Sequence, residues 1–332
     1  MPADLFPFAA GAYGPFTAPA EEPGEGVRGY RNIYFVDGNK GSDGNSGLSL
    51  GSQNAFKTVQ KALDTVQDED TIIVTRGSGN YDEELTTGQV IDTSDMVAGR
   101  GRYVSLIGAS PTRWPYDAPQ LYNTSGSTAS LFVRSPGWRV SGFRIVGDSG
   151  SPACLKTQMA QAGATAGTNW GAGLTVDNCV FYGAVGSTNG FQPKANVDVR
   201  LENCKFEQFK SDTLAAVADE GGGFSFAKID ILNCHFINNV ACIDNGLQVS
   251  VIRGNIIGGN KEQTMTRGID LRSGGGGNVI SGNYLGGVYK TFGNSGVYEG
   301  IASDEWAGNY ASDLTGASVD SATGITWKDP AA

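Results

Sequence analysis

Four residues that could carry acid–base chemistry sit on a repeated frame. Asp177, Arg200, Glu202 and Asp230 fall within three similar segments, 174–181, 199–206 and 229–236. In each segment apolar residues alternate with polar ones, which is the pattern of a strand with one buried face. The charged residues occupy the outward positions. If the segments are neighbouring strands, Asp177 approaches Glu202 and Asp230 lies beside Arg200. Carboxylates paired in this way can cleave a glycosidic bond by acid–base or nucleophilic chemistry. The same residues can equally form solvated cross-strand ion pairs, each contributing a few tenths of a kcal/mol. The ion-pair reading is the expectation, so no catalytic residue is assigned. Asp177, Glu202, Asp230 and Arg200 stay as the alternative set.

Other reactive groups point away from a metal or cofactor. Asp37, Asp43 and Asn45 alternate in a Gly-rich loop but supply too few ligands for calcium. The single histidine, His235, has no partner pattern around it. The five cysteines (154, 179, 204, 234 and 242) lack metal spacing. Three of them recur at one inward position of the frame, where a column of reduced, packed thiols is expected.

The frame that places these groups is a bend flanked by two short strands. Asn178, Asn203 and Asn233 interrupt the alternation, and Cys179-Val-Phe181, Cys204-Lys-Phe206 and Cys234-His-Phe236 resume it. Gly142, Gly254, Gly282 and Gly308 occupy the same place in further copies, and Gly108 fits more loosely. Asn and Gly are the types that adopt a left-handed bend cheaply. Bends recur every 21 to 36 residues, a period that signals a stacked repeat fold. Stacking puts Val140, Val176, Leu201, Ile231, Ile252 and Ile280 in one inward column. Ile145, Phe181, Phe206, Phe236, Ile257 and Leu285 form a second. Between them runs a third: Phe143, Cys179, Cys204, Cys234, Asn255, Asn283 and Asn309. This is an all-β parallel solenoid.

Composition fits that fold and excludes several functions. The chain has 332 residues, 49 of them glycine, and a net charge of −10. No apolar run is long enough to span a bilayer, and no signal peptide is recognisable at the start. The acidic balance without a basic patch argues against nucleic acid. Residues 1–31 are rich in proline and carry Phe6, Phe8, Tyr13 and Phe16. They read as an extended arm whose aromatics pack on a partner chain. Residues 32–315 form the solenoid, capped by an amphipathic helix at about 56–66, and 316–332 form a tail. After the bend the outward residues Val180, Ile256 and Tyr284, with Lys205, His235 and Tyr310, suggest an exposed contact strip. Loops such as 156–169 or 219–227 could instead cover it.

Three elements in order, Gly41–Gly47, Phe56-Lys-Thr-Val-Gln-Lys-Ala62 and Thr71–Gly77 followed by Tyr81, resemble the N-terminal cap of the pectate-lyase-like superfamily. The resemblance implies a right-handed, single-stranded parallel β-helix with a capping α-helix. That superfamily includes lyases, hydrolases, epimerases, phage tailspikes and proteins without catalysis, so it implies no single activity. The Gly-His-Gly, Arg-Ile-Lys and Asn-Thr-Asp tripeptides of the resembling hydrolases are missing. The expectation is a non-catalytic virion protein of a tailed bacteriophage, a capsid decoration or tail appendage. It would be made in the host cytoplasm, bound to other virion proteins through its arm, and trimeric by analogy. The alternative is a tailspike or lyase that binds or degrades bacterial surface glycans.

Overall fold

The bends behave as their residue types require. Asn178, Asn203 and Asn233 have φ of 53°, 54° and 53°, and Gly142, Gly254, Gly282 and Gly308 lie between 60° and 77°. In this computed structural model the chain is described over residues 31–311, apart from 78–80, 84, 87–100, 110–116, 125–128, 148–152, 158–172, 184–188, 194–197, 212–213, 219–225, 245–246, 259–264, 272–275, 287–297 and 300–302. The arm at 1–30 and the tail from 312 onward lie outside these residues. Gly108 departs from the expectation, because it is absent from the left-handed positions. It ends the strand Ser105–Gly108, which pairs residue for residue with Thr71–Val74.

Successive coils stack their strands into three long parallel sheets, beside a two-stranded pair of Phe226–Ala227 with Leu247–Gln248. Among the described residues the first sheet has ten strands, the second nine and the third eight. The first and second sheets meet at the bend, and the third closes the coil. Together they make a right-handed parallel β-helix. The register is the one read from the repeats. Val140, Val176, Leu201, Ile231, Ile252 and Ile280 pair in succession. So do Ile145, Phe181, Phe206, Phe236, Ile257 and Leu285. Stacking brings Phe181 over Phe206 at 4.5 Å and Phe206 over Phe236 at 4.8 Å, nearly parallel. Each such pair contributes about 0.5–1.5 kcal/mol beyond burial.

The middle column changes chemistry halfway. Cys179, Cys204 and Cys234 are fully buried, and each thiol donates to the carbonyl two residues before it, at 3.3–3.4 Å. From Asn255 onward amides form a ladder. Asn255 Nδ2 donates to Ile231 O and to Asn283 Oδ1, both at 2.9 Å, and Asn283 Nδ2 repeats this with Ile252 O and Asn309 Oδ1. Asn255 Oδ1 accepts from Cys234 N at 2.8 Å, which joins the two halves. The ladder satisfies buried groups that would otherwise cost about 1–3 kcal/mol each.

The cap helix runs Val59–Thr65, shorter than the 56–66 expected from periodicity. Phe56 instead forms a bridge to Val36 and stacks on Tyr34. Thr58 caps the helix by accepting from Lys61 N. Glu83, from the first coil, accepts from Val59 N and Gln60 N at 3.0 and 2.9 Å. Burial raises the Glu83 carboxyl above the usual range, against the lowering effect of those two amides. Val59, Ala62, Leu63 and Val66 are buried, so the face read from the sequence is the face that covers the end of the core. Asp43 and Asn45 serve the cap as well. Asp43 accepts from Lys57 N, Thr58 N and Thr58 Oγ1, and Asn45 donates to Ser52 O and Ala55 O.

Candidate functional site

Each sheet has an outward face, and the three differ in what they carry. On the first sheet the sequence-derived residues do meet. Asp177 pairs in register with Glu202, and Arg200 with Asp230. Each member of the Asp177–Glu202 pair is held by a guanidinium. Arg139 reaches Asp177 Oδ2 through Nε at 3.0 Å and Nη2 at 2.6 Å. Arg200 reaches Glu202 at 2.9 Å. Lys228 and Asp198 pair at 2.6 Å beside them. The face is a mixed network of ion pairs, in which Arg200 bonds Glu202 of its own strand rather than its cross-strand neighbour Asp230.

On the second sheet the outward column runs Arg144, Val180, Lys205, His235, Ile256, Tyr284 and Tyr310 in register. Ile256 and Tyr284 are exposed, but Val180 is fully buried, which corrects its place in the expected strip. Val180 sits between Arg144 and Lys205, whose long side chains fold along the face. The Arg144 guanidinium lies 4.8 Å from the Tyr182 ring, and Lys205 bonds Glu207 at 2.6 Å. The apolar strip is therefore confined to the coils after His235.

The third sheet carries a carboxylate pair that the sequence reading missed. Asp244 pairs in register with Asp270, and the ladder continues to Glu299. Ile243 and Ile269, one residue earlier, point into the core, so the two aspartates face outward by alternation. They are withdrawn from water all the same: Asp270 is 6 % exposed and the Asp244 side chain 16 %. Arg267 forms an ion pair with Asp244. The same column extends toward earlier coils. Phe132 pairs with Lys156 and Lys156 with Gln192. Phe191 pairs with Val217 and Ala218 with Asp244, which sets the small Ala218 between Gln192 and Asp244. Gln192 is 5 % exposed, and its Oε1 is buried without a hydrogen-bond partner; Asn189 Oδ1 on the same strand is in the same state. Lys156 and Arg134 both lie over the Phe132 ring, at 5.8 and 4.4 Å. An aromatic ring, cations, an unpaired amide oxygen, a small floor residue and two carboxylates thus share one column.

A signal for this column existed in the sequence. Cys242-Ile-Asp244 and Gly268-Ile-Asp270 are spaced 26 residues apart, within the range of the coil repeat. These strands lie beyond the two strands of each bend repeat, so the Asn/Gly frame does not reveal them. Among the described residues no group of three or more His, Cys, Asp or Glu side chains converges as a metal site. The arm aromatics Phe6, Phe8, Tyr13 and Phe16 lie outside the described residues.

No family model matches the chain, and no curated protein matches it by sequence. Solved structures do. A rhamnogalacturonan lyase aligns with TM-score 0.51 at 14 % identity, covering 84 % of this chain and 74 % of its own. An alginate lyase from Paenibacillus sp. str. FPU-7 aligns with TM-score 0.52 at 15 % identity, covering 76 % and 83 %. A pectin methylesterase from Aspergillus niger aligns with TM-score 0.52 at 14 % identity, covering 88 % and 90 %. At this identity the likeness shows the fold alone: a right-handed parallel β-helix.

Proposed function

We propose that this protein cleaves glycosidic bonds in a polysaccharide, with Asp244 and Asp270 as the carboxylates at the reacting bond. One observation carries the reading. The two aspartates stand in register on neighbouring coils, both withdrawn from water, with Arg267 bridged to one of them. Cleavage of a glycosidic bond needs one group that moves a proton and a second acid, base or nucleophile close to it. Neighbouring parallel strands are about 4.8 Å apart, which holds two such groups side by side on one face. Removal from water strengthens their interaction with charge that develops in the transition state. Arg267 positions the Asp244 carboxylate, and Asp270 is assigned the proton transfer. Lys156 and Gln192 extend the face and supply a charge and an amide for sugar rings.

Similar folds in proteins named for rhamnogalacturonan, alginate and pectin support a polysaccharide as the polymer. The arm aromatics of the virion-appendage reading lie outside the described residues; the carboxylates of the glycan reading lie inside them. Incubation with a panel of plant, algal and bacterial surface polysaccharides tests it. Reducing-end release and unsaturated-uronate absorbance separate hydrolysis from elimination. The expected result is product from at least one polymer, lost in Asp244→Asn and Asp270→Asn at unchanged melting temperature. No product from any polymer, or full activity in Asp270→Asn, overturns the proposal.

A further inference from the structure

We infer that the outward face of the first sheet, around Asp177, Arg200, Glu202 and Asp230, is a second glycan contact that recognises sugar hydroxyls without cleaving. The inference rests on the polysaccharide reading for its ligand class, but on different residues and a different sheet.

The face is an ion-pair network with two acceptors left over. Asp177 is 8 % exposed, and Arg139 occupies its Oδ2; its Oδ1 is buried with no hydrogen-bond partner. Asp230 Oδ1, two coils further on, is also buried without a partner. A buried acceptor left without a donor is costly, and ion pairing of the other oxygen does not remove that cost. A donor that reaches either oxygen, after a shift of the side chains that cover it, removes that cost. Between them lie Arg200 and Glu202, with side chains 49 % and 29 % exposed. Arg200 can donate where the two aspartates accept. Arg200 and Asp230 stand in register on neighbouring strands, and Asp177 lies one strand earlier, two residues further along. Acceptor, donor and acceptor therefore alternate over three successive coils, which suits the hydroxyls of successive sugar rings. Four carboxylates, those of Asp177, Asp198, Glu202 and Asp230, against Arg139, Arg200 and Lys228 leave this cluster without a positive excess. The face therefore fits a neutral stretch of glycan better than a polyanionic one. The clamp on Asp177 also suits recognition, since a carboxylate fixed by two guanidinium N–H bonds is held in one orientation.

The test uses the full chain carrying Asp270→Asn, so that binding is read without cleavage. Neutral gluco-, galacto- and rhamno-hexasaccharides are titrated by calorimetry. Binding of at least one is expected, weakened tenfold or more by adding Asp230→Asn, and also by Thr175→Trp. Thr175 lies in register between Arg139 and Arg200, so the tryptophan blocks the face without removing a carboxylate. If Asp230→Asn disturbs folding, Thr175→Trp decides. Binding unchanged by both variants, or no binding of any neutral hexasaccharide, overturns the inference. Failure of the cleavage proposal would show separately, as absent turnover in a protein that still binds here.

Discussion

The first and third sheets are built from the same strands-per-coil arithmetic, yet their outer faces are differently equipped. On the first, the in-register carboxylates Asp177 and Glu202 each have their own arginine, at 2.6 and 2.9 Å. On the third, Asp244 and Asp270 share a column with an unpaired amide oxygen, a small residue and a cation-covered ring. Position on a β-helix supplies neighbours about 4.8 Å apart everywhere. What those neighbours can do depends on water access and on what fills the rest of the column. Paired carboxylates alone therefore do not identify a reaction centre.

The largest contrast is expected in turnover. Asp270→Asn should lower kcat by roughly 100-fold or more, the range for removing a general acid or base. Asp177→Asn should change kcat less than about threefold, because it alters recognition and not proton transfer. Initial rates at saturating polymer read both. Equal losses would erase the distinction between the faces.

A smaller effect is expected from filling the column floors. Ala218→Trp places a ring between Gln192 and Asp244 and should raise KM about tenfold, a cost near 1.4 kcal/mol. Thr175→Trp, its counterpart on the first sheet, should leave cleavage of short oligosaccharides unchanged. Steady-state kinetics on short and long substrates separate them.

The repeats made most of the fold legible, because the bend needs a left-handed residue and Asn178, Asn203, Asn233 and the bend glycines advertise it. The Asn255–Asn283–Asn309 ladder was readable for the same reason. Val180 was misplaced because alternation gives direction and not cover; Arg144 and Lys205 lie across that face. The carboxylate pair at Asp244 and Asp270 escaped because its strands lie beyond the bend repeat and begin at unequal distances from it, with three residues intervening after Ile237 in one coil and eight after Gly258 in the next.

Stability should separate the faces less sharply. Arg139→Met leaves the Asp177 carboxylate without its clamp. Because Arg139 is 37 % exposed, we expect a loss of about 1–2 kcal/mol, below the value for a fully buried pair. A thermal melt would show it, and no change would mean that solvent already satisfies Asp177.

The smallest difference of all should lie inside. The five cysteines are buried, and burial pushes the Cys154, Cys179, Cys204 and Cys242 thiols well above the usual range. Thiol reagent at neutral pH should label none in the folded protein and all five after denaturation. Fast labelling of Cys179 or Cys204 in the native state would contradict the packed middle column.

Glycan cleavage on the third sheet has a structural signature. The most direct measurement is a crystal structure of the Asp270→Asn protein soaked with an oligosaccharide of the polymer it cleaves. Sugar density should cross Ala218, with the scissile linkage beside Asp244 and position 270 and a ring hydroxyl on Gln192 Oε1. A glycan whose scissile linkage lies over the first or second sheet instead would contradict the assignment.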